Sequence, residues 1–173
     1  RHTRYISVTG VQTCALPISA KKTTKKVVTV AGWLATLPAE KRKTAAAVIA
    51  LVRKHVPKGY VEGFGWGVNW SVPLTILPDT YNKQPLAYVA LLETKGGFSL
   101  HLMPLYWNKE REGAFRAAYK KAGKRLDMGM ACVRFTTMDD LVAPAVKDVV
   151  KAIPMATYIA NYRAVRAKTA KGR

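Results

Sequence analysis

The sequence predicts an α+β fold: a single domain with an antiparallel β-sheet of about five strands and flanking helices. Three observations lead there. Apolar residues recur at helical spacing near both ends of the chain, while the middle is aromatic and β-branched with a period of two. Glu93-Thr94-Lys95-Gly96-Gly97 separates two of those period-two runs, a hairpin signal that makes its strands antiparallel. No clean strand-helix-strand alternation appears, so a parallel sheet is not indicated. The 173 residues favour one domain. A chain of this size buries roughly 68–70% of its unfolded surface, enough to fold without a disulfide or a metal.

The first eighteen residues stand apart. Val8-Thr9-Gly10-Val11-Gln12-Thr13-Cys14-Ala15-Leu16-Pro17-Ile18 resembles the translation of a common short-read sequencing adapter. Arg1-His2-Thr3-Arg4 matches the other side of the same oligonucleotide across a barcode-sized gap. Residues 1–18 are therefore expected to be an assembly artefact, disordered and without selected structure, with the true N-terminus missing. Residues 19–28, including Lys21, Lys22, Lys25 and Lys26, are polar, basic and aperiodic, which predicts a flexible lead-in.

The predicted domain runs over 29–163. Thr29 suits an N-cap for a short helix bearing Trp33, Leu34 and Leu37, and Pro38 suits the first turn of the next. There Ala45, Val48, Ile49, Val52 and Val56 form an apolar face, ended by Pro57-Lys58-Gly59. From Tyr60 to Pro73 the period changes to two, and glycines at alternate positions predict a bend or bulge where a side chain or ligand nears the backbone. Residues 78–82 read as a loop. Leu86–Leu92 and Phe98–Met103 are the hairpin strands, the second with Phe98, Leu100 and Leu102 on one face and Ser99, His101 and Met103 on the other. Asn108 can cap a helix with Phe115, Ala118, Tyr119 and Ala122 as its buried stripe and Gly123 as its stop. A strand follows at Ala131–Phe135, then helical segments after Thr137 and Pro144, and a last short helix after Pro154. Residues 164–173, with Arg166, Lys168 and Lys171, read as a basic flexible tail.

Charge is the unusual total: 29 Lys+Arg against 10 Asp+Glu, a net of +19. Six basic groups and no acid lie in residues 1–26, and five with no acid in 163–173, so residues 27–162 carry a net of +8. Basic ends point to non-specific nucleic-acid association, with Lys21, Lys22, Lys25, Lys26, Arg166, Lys168 and Lys171 on phosphates. Trp66, Trp70 and Trp107 could stack on bases, although core packing is the more ordinary use of an aromatic side chain. No apolar run reaches the roughly 18 residues of a membrane span, and the default compartment is the cytoplasm.

Few residues suggest catalysis. Cys132, with Arg134 on its strand face and Lys124 and Arg125 upstream, is the nucleophile candidate, set against a buried structural thiol. His101 is a candidate base or metal ligand, set against structural hydrogen bonding. The paired acids, Asp139-Asp140 and Glu110/Glu112, sit at expected helix starts, where capping accounts for them. No phosphate loop, metal-ligand spacing or catalytic triad signature appears, so no cofactor and no metal are expected.

Several motifs occur in order along the chain: Thr29-Val30…Trp33-Leu34…Leu37-Pro38, Gly59-Tyr60-Val61-Glu62-Gly63, Lys83-Gln84-Pro85-Leu86, and Leu102-Met103…Leu105-Tyr106. After them come Gly123-Lys124…Leu126-Asp127-Met128-Gly129…Cys132-Val133-Arg134-Phe135 and Tyr158-Ile159…Tyr162. From Thr29 to Tyr162 the chain resembles the YdhG-like family of bacterial domains. The resemblance implies a compact domain on an antiparallel sheet with flanking helices. It also implies, through the label of some members, a frataxin-like iron chaperone, a role that the basic composition opposes. It carries over no catalytic residue. Strand parity and motif membership group Glu62, His101, Tyr106, Lys124, Asp127, Cys132 and Arg134 as a candidate binding set for a small ligand or protein partner over the polar face of the sheet.

Overall fold

A computed structural model describes residues 29–106 and 108–171. Over these the chain is α+β, with six α-helices and a six-stranded antiparallel sheet. Thr29 caps α1 (Val30–Thr36) by accepting the Gly32 N–H at 3.0 Å. Pro38 stands one residue before α2 (Ala39–His55), where its fixed φ leads into the first turn. The strands are β1 (Val61–Phe64), β2 (Val68–Val72), β3 (Leu86–Thr94), β4 (Gly97–Leu102), β5 (Asp127–Gly129) and β6 (Cys132–Phe135), in the order β1-β2-β3-β4-β6-β5. Between them lie α3 (Met103–Tyr106) and α4 (Lys109–Lys121), and after them α5 (Ala143–Val150) and α6 (Met155–Lys171).

Period-two alternation sorts the strand residues onto two faces. One face carries Phe64, Val68, Trp70, Val89, Leu91, Leu100, Leu102, Val133 and Phe135, and it joins Val48, Ile49, Phe115, Tyr119 and Val149 of the helices in one core. Trp33 of α1 lies 5.8 Å from Phe64 and 6.5 Å from Phe98, ring to ring. Each such side chain, fully buried, stabilises the fold by roughly 1.5–3 kcal/mol. The bulge expected near the alternate glycines occurs as a register shift between Trp70 and Ser71.

A second set of contacts ties the helical end to the sheet. Tyr60 and Tyr88 stack at 4.0 Å, and Tyr158 meets Tyr88 edge-on at 5.1 Å. Their hydroxyls donate to backbone carbonyls: Tyr60 to Ile153 at 3.1 Å, Tyr88 to Val150 at 2.9 Å and Tyr158 to Ala87 at 2.7 Å. Burial pushes the Tyr88 hydroxyl up to about 12, so these phenols stay protonated donors.

Four local expectations change. The sheet has six strands rather than about five, because Asp127–Gly129, read as a polar turn, pairs with β6 across a two-residue turn at Met130-Ala131. Met103 starts α3 instead of ending β4, since Pro104 has no N–H for the ladder and suits a first helical turn. The expected short last helix runs seventeen residues, through the stretch read as a tail. Ala122 is exposed rather than part of the buried stripe of α4.

Candidate functional site

The opposite face of the sheet is built from small and polar side chains. One row across it runs Gly63, Asn69, Ala90, His101, Cys132, Gly129, each pair in register. A neighbouring row runs Leu92, Ser99, Arg134, Asp127, and another Val61, Ser71, Ala87. The β1–β2 hairpin tip folds Trp66 back over this face, where its ring meets His101 at 5.6 Å while the side chain stays 62% exposed.

Four of the seven candidate residues therefore come together on β4, β6 and β5. His101 and Cys132 are cross-strand partners. Burial lowers the His101 imidazole below its ordinary value, leaving it neutral at pH 7. Burial raises the Cys132 thiol, against a smaller opposing pull from Arg134. A raised thiol is protonated at neutral pH, the reverse of what a nucleophilic cysteine requires. Arg134 donates from Nε and Nη2 to Asp127 Oδ1 at 3.0 and 2.7 Å, and this pairing holds the Asp127 carboxyl below its usual range.

The other three are placed elsewhere. Glu62 belongs to the core-facing side of edge strand β1, opposite Trp70, and both its oxygens accept from Arg53 of α2 at 2.7 Å. Lys124 follows the end of α4, where its Nζ donates to the carbonyls of Asp139 and Leu141 (3.1 Å for the latter) and so fastens the 138–141 turn. Tyr106 lies in α3, half exposed.

Sequence reasoning missed a large concavity among the described residues. A trough of about 740 Å³ runs along β1 and β2 on this same sheet face, from Trp66 at the hairpin tip to Tyr81 in the 73–85 loop. Gly63, Asn69, Ser71 and Ala87 are among its floor residues, Met103 lies at one side, and Asn82 and Gln84 line the loop end. The Ser71 hydroxyl donates to Asn69 Oδ1 at 3.3 Å, and Asn69 Nδ2 donates to the Gly67 carbonyl at 3.3 Å. Tyr81 is 68% exposed, and its backbone N–H is held by the Tyr162 hydroxyl of α6 at 2.8 Å. The signal available was Trp66 flanked by glycines; nothing local marked Tyr81.

Of the nucleic-acid candidates, Lys21, Lys22, Lys25 and Lys26 lie outside the described residues, as do the adapter-like segment and Trp107. Trp70 is only 2% exposed in the core, so it cannot stack on a base. Arg166 and Lys168 are exposed on α6, which also includes Lys171. Among the described residues no three His, Cys, Asp or Glu side chains gather as a metal site. Several acids are engaged in other pairs: Glu93 with Lys41, Glu112 with Arg116 and Lys109, Asp148 with Lys151, and Asp140 with the backbone N–H groups of Thr136 and Thr137. Among the described residues no helix is long and apolar enough to cross a membrane.

Fold and site together define a single-domain α+β protein with helices packed on one sheet face and a ligand-sized trough on the other. No family model, no curated protein and no solved structure matches the chain.

Proposed function

We propose that the chain is a small binding module, YdhG-like in its motifs and acting in the cytoplasm, that holds a small molecule in the trough between Trp66 and Tyr81. The observation that carries this reading is the trough itself. Its size falls within the roughly 300–1,000 Å³ of small-molecule sites, and two large aromatic side chains stand exposed at its ends where the core had no need of them. Binding rather than catalysis is favoured because Cys132 is kept as a thiol and His101 is covered by Trp66.

A thermal-shift screen of small molecules on the full chain and on Trp66→Ala tests it. Ligands of the trough are expected to raise the Tm of the wild type and to lose that effect in the variant. Stabilising ligands that act equally on both would place binding elsewhere and sink the reading.

Non-specific nucleic-acid association is a second reading. It is supported by α6, which carries Arg163, Arg166 and Lys168 exposed along a continuous helix rather than a loose end.

A further inference from the structure

Resting on the small-molecule reading, we propose that the trough takes a neutral ring bearing several hydroxyl groups, a sugar or a closely similar polyol. Three features of the lining converge on that class.

The first is charge. In a chain of net +19, an anion site would be expected to show a lysine or arginine. Among the described residues lining the trough, Glu62 is the one Asp, Glu, Lys, Arg or His, and both its oxygens are taken up by Arg53 at 2.7 Å. A phosphate or carboxylate ligand would find no counter-charge there, and a cation no uncommitted acid.

The second is the distribution of polar groups. Besides the Trp66 indole and the Tyr81 phenol they are three amides and a hydroxyl, two of them on β2 and two in the 73–85 loop. Asn69 and Ser71 lie on the floor, each with donor or acceptor capacity beyond the bonds they make to one another and to Gly67. Across the trough, Asn82 Oδ1 accepts the Gln84 N–H at 3.2 Å, which leaves its amide nitrogen to donate. The Gln84 side-chain amide has no partner among the described residues. A hydroxyl both donates and accepts, so a ring with hydroxyls around its perimeter matches scattered amides.

The third is a pair of exposed aromatic side chains, Trp66 and Tyr81, in the same lining as a low floor. Gly63 and Ala87 carry almost no side chain, so a ring can approach the backbone there. The faces of Trp66 and Tyr81 carry the negative side of the aromatic quadrupole, which attracts the weakly positive C–H groups of a saturated ring.

The test uses the full chain and four probes: the β1,4-linked dimer of N-acetylglucosamine, glucose, adenosine as a flat neutral ring, and glucose 6-phosphate as the charged counterpart of glucose. Binding is read by the ¹H–¹⁵N indole signal of Trp66, assigned through its loss in Trp66→Phe. The inference expects the neutral sugar to shift that signal, with affinity falling about tenfold or more in Tyr81→Ala, as for loss of one stacking partner. Glucose 6-phosphate is expected to bind no more tightly than glucose. Ala87→Leu, which fills the floor, should abolish the shift while the remaining amide spectrum reports an intact fold. Tighter binding of adenosine or of the phosphate at the Trp66 signal overturns the sugar class and leaves the small-molecule site standing. Silence from the sugar, while a screened ligand still stabilises in a Trp66-dependent way, overturns this inference alone. Silence from the sugar together with no Trp66-dependent ligand overturns both.

Discussion

Gly67 shows how one position can be set by close approach rather than by a turn. A Cβ built there would lie 2.5 Å from the Leu91 carbonyl oxygen of the neighbouring strand. Backbone cannot yield as a side chain does, so Gly67→Ala is expected to destabilise the fold by about 1–3 kcal/mol, measured by urea unfolding. Gly63 and Gly65 carry no such constraint: a Cβ at Gly63 would make ordinary contact with Asn69, and one at Gly65 would meet nothing within 4 Å. Alternation of glycines was visible in the sequence, but only the fold shows which of them is pressed. His101 supplies the pH dependence. Its folded pKa lies below the ordinary 6.5, so the unfolded chain binds the proton first as pH falls. The stability it contributes is complete above pH 6.5 and is lost as pH drops through that value towards the folded pKa. His101→Gln is expected to flatten the stability-pH curve in this window; an unchanged slope there would show that the imidazole is not the group responsible. Asp127, Glu112 and Asp140 are also held below their usual values, by Arg134, by Arg116, and by the Thr137 and Thr136 backbone N–H groups respectively. Their contribution has the same sign but is lost only in the lower, carboxylate range of pH.

Among the elements, α4 follows local rules at both of its ends. Asn108 Oδ1 accepts the Arg111 N–H at 2.7 Å at its start. At its end Gly123, with φ 64°, lets its own N–H reach Lys120 O and the Lys124 N–H reach Tyr119 O, both at 3.1 Å. Both ends were legible because capping is decided by neighbours in the chain. The extent of α6 was not. Its basic residues suit a solvating tail, yet Ala156, Ala160, Ala164, Ala167 and Ala170 with Arg and Lys between them are strong helix formers. Tyr158 and Tyr162, one turn apart, anchor the helix to Ala87 and Tyr81. Strand β5 was illegible for another reason: three residues show no period, and they become a strand only because β6 offers a ladder to pair with. The tyrosine cluster joins these elements. Tyr88 donates to Val150 O and accepts the Ile153 N–H at 3.2 Å, so Tyr88→Phe leaves two buried backbone groups unpaired. A loss of about 1–3 kcal/mol per unpaired group is the scale of the expected effect, read by thermal or urea unfolding. A neutral result would mean that water replaces the hydroxyl.

Taken whole, the molecule separates its charge from its cavity. The trough lining is nearly free of ionisable groups, whereas five basic residues and no acid fall in 163–173. If the ends bind nucleic acid, log K should fall against log salt by about 0.9 per phosphate contact on duplex DNA. Deleting 163–173 is expected to reduce both DNA affinity and that slope while leaving trough ligands unaffected. Affinity unchanged by the deletion would remove α6 from the nucleic-acid reading.

The α+β class, the hairpin at Lys95-Gly96, the caps at Thr29 and Asn108 and the apolar faces of α2 and α4 followed from the order of residues alone. Each depends on periodicity or on groups within a few positions of one another. The grouping of the candidate site did not follow. Parity within a strand put Cys132 and Arg134 on one face, but it is the β4–β6 and β5–β6 registers that bring His101 beside Cys132 and Asp127 beside Arg134. It could not reveal that Glu62 faces Arg53, that Lys124 is committed to carbonyls, or that Trp66 and Tyr81 frame one trough. Those facts depend on which strand lies beside which and on where two loops fold back over the sheet. Contacts of that kind are set by packing between distant parts of the chain, and local spacing carries no record of them.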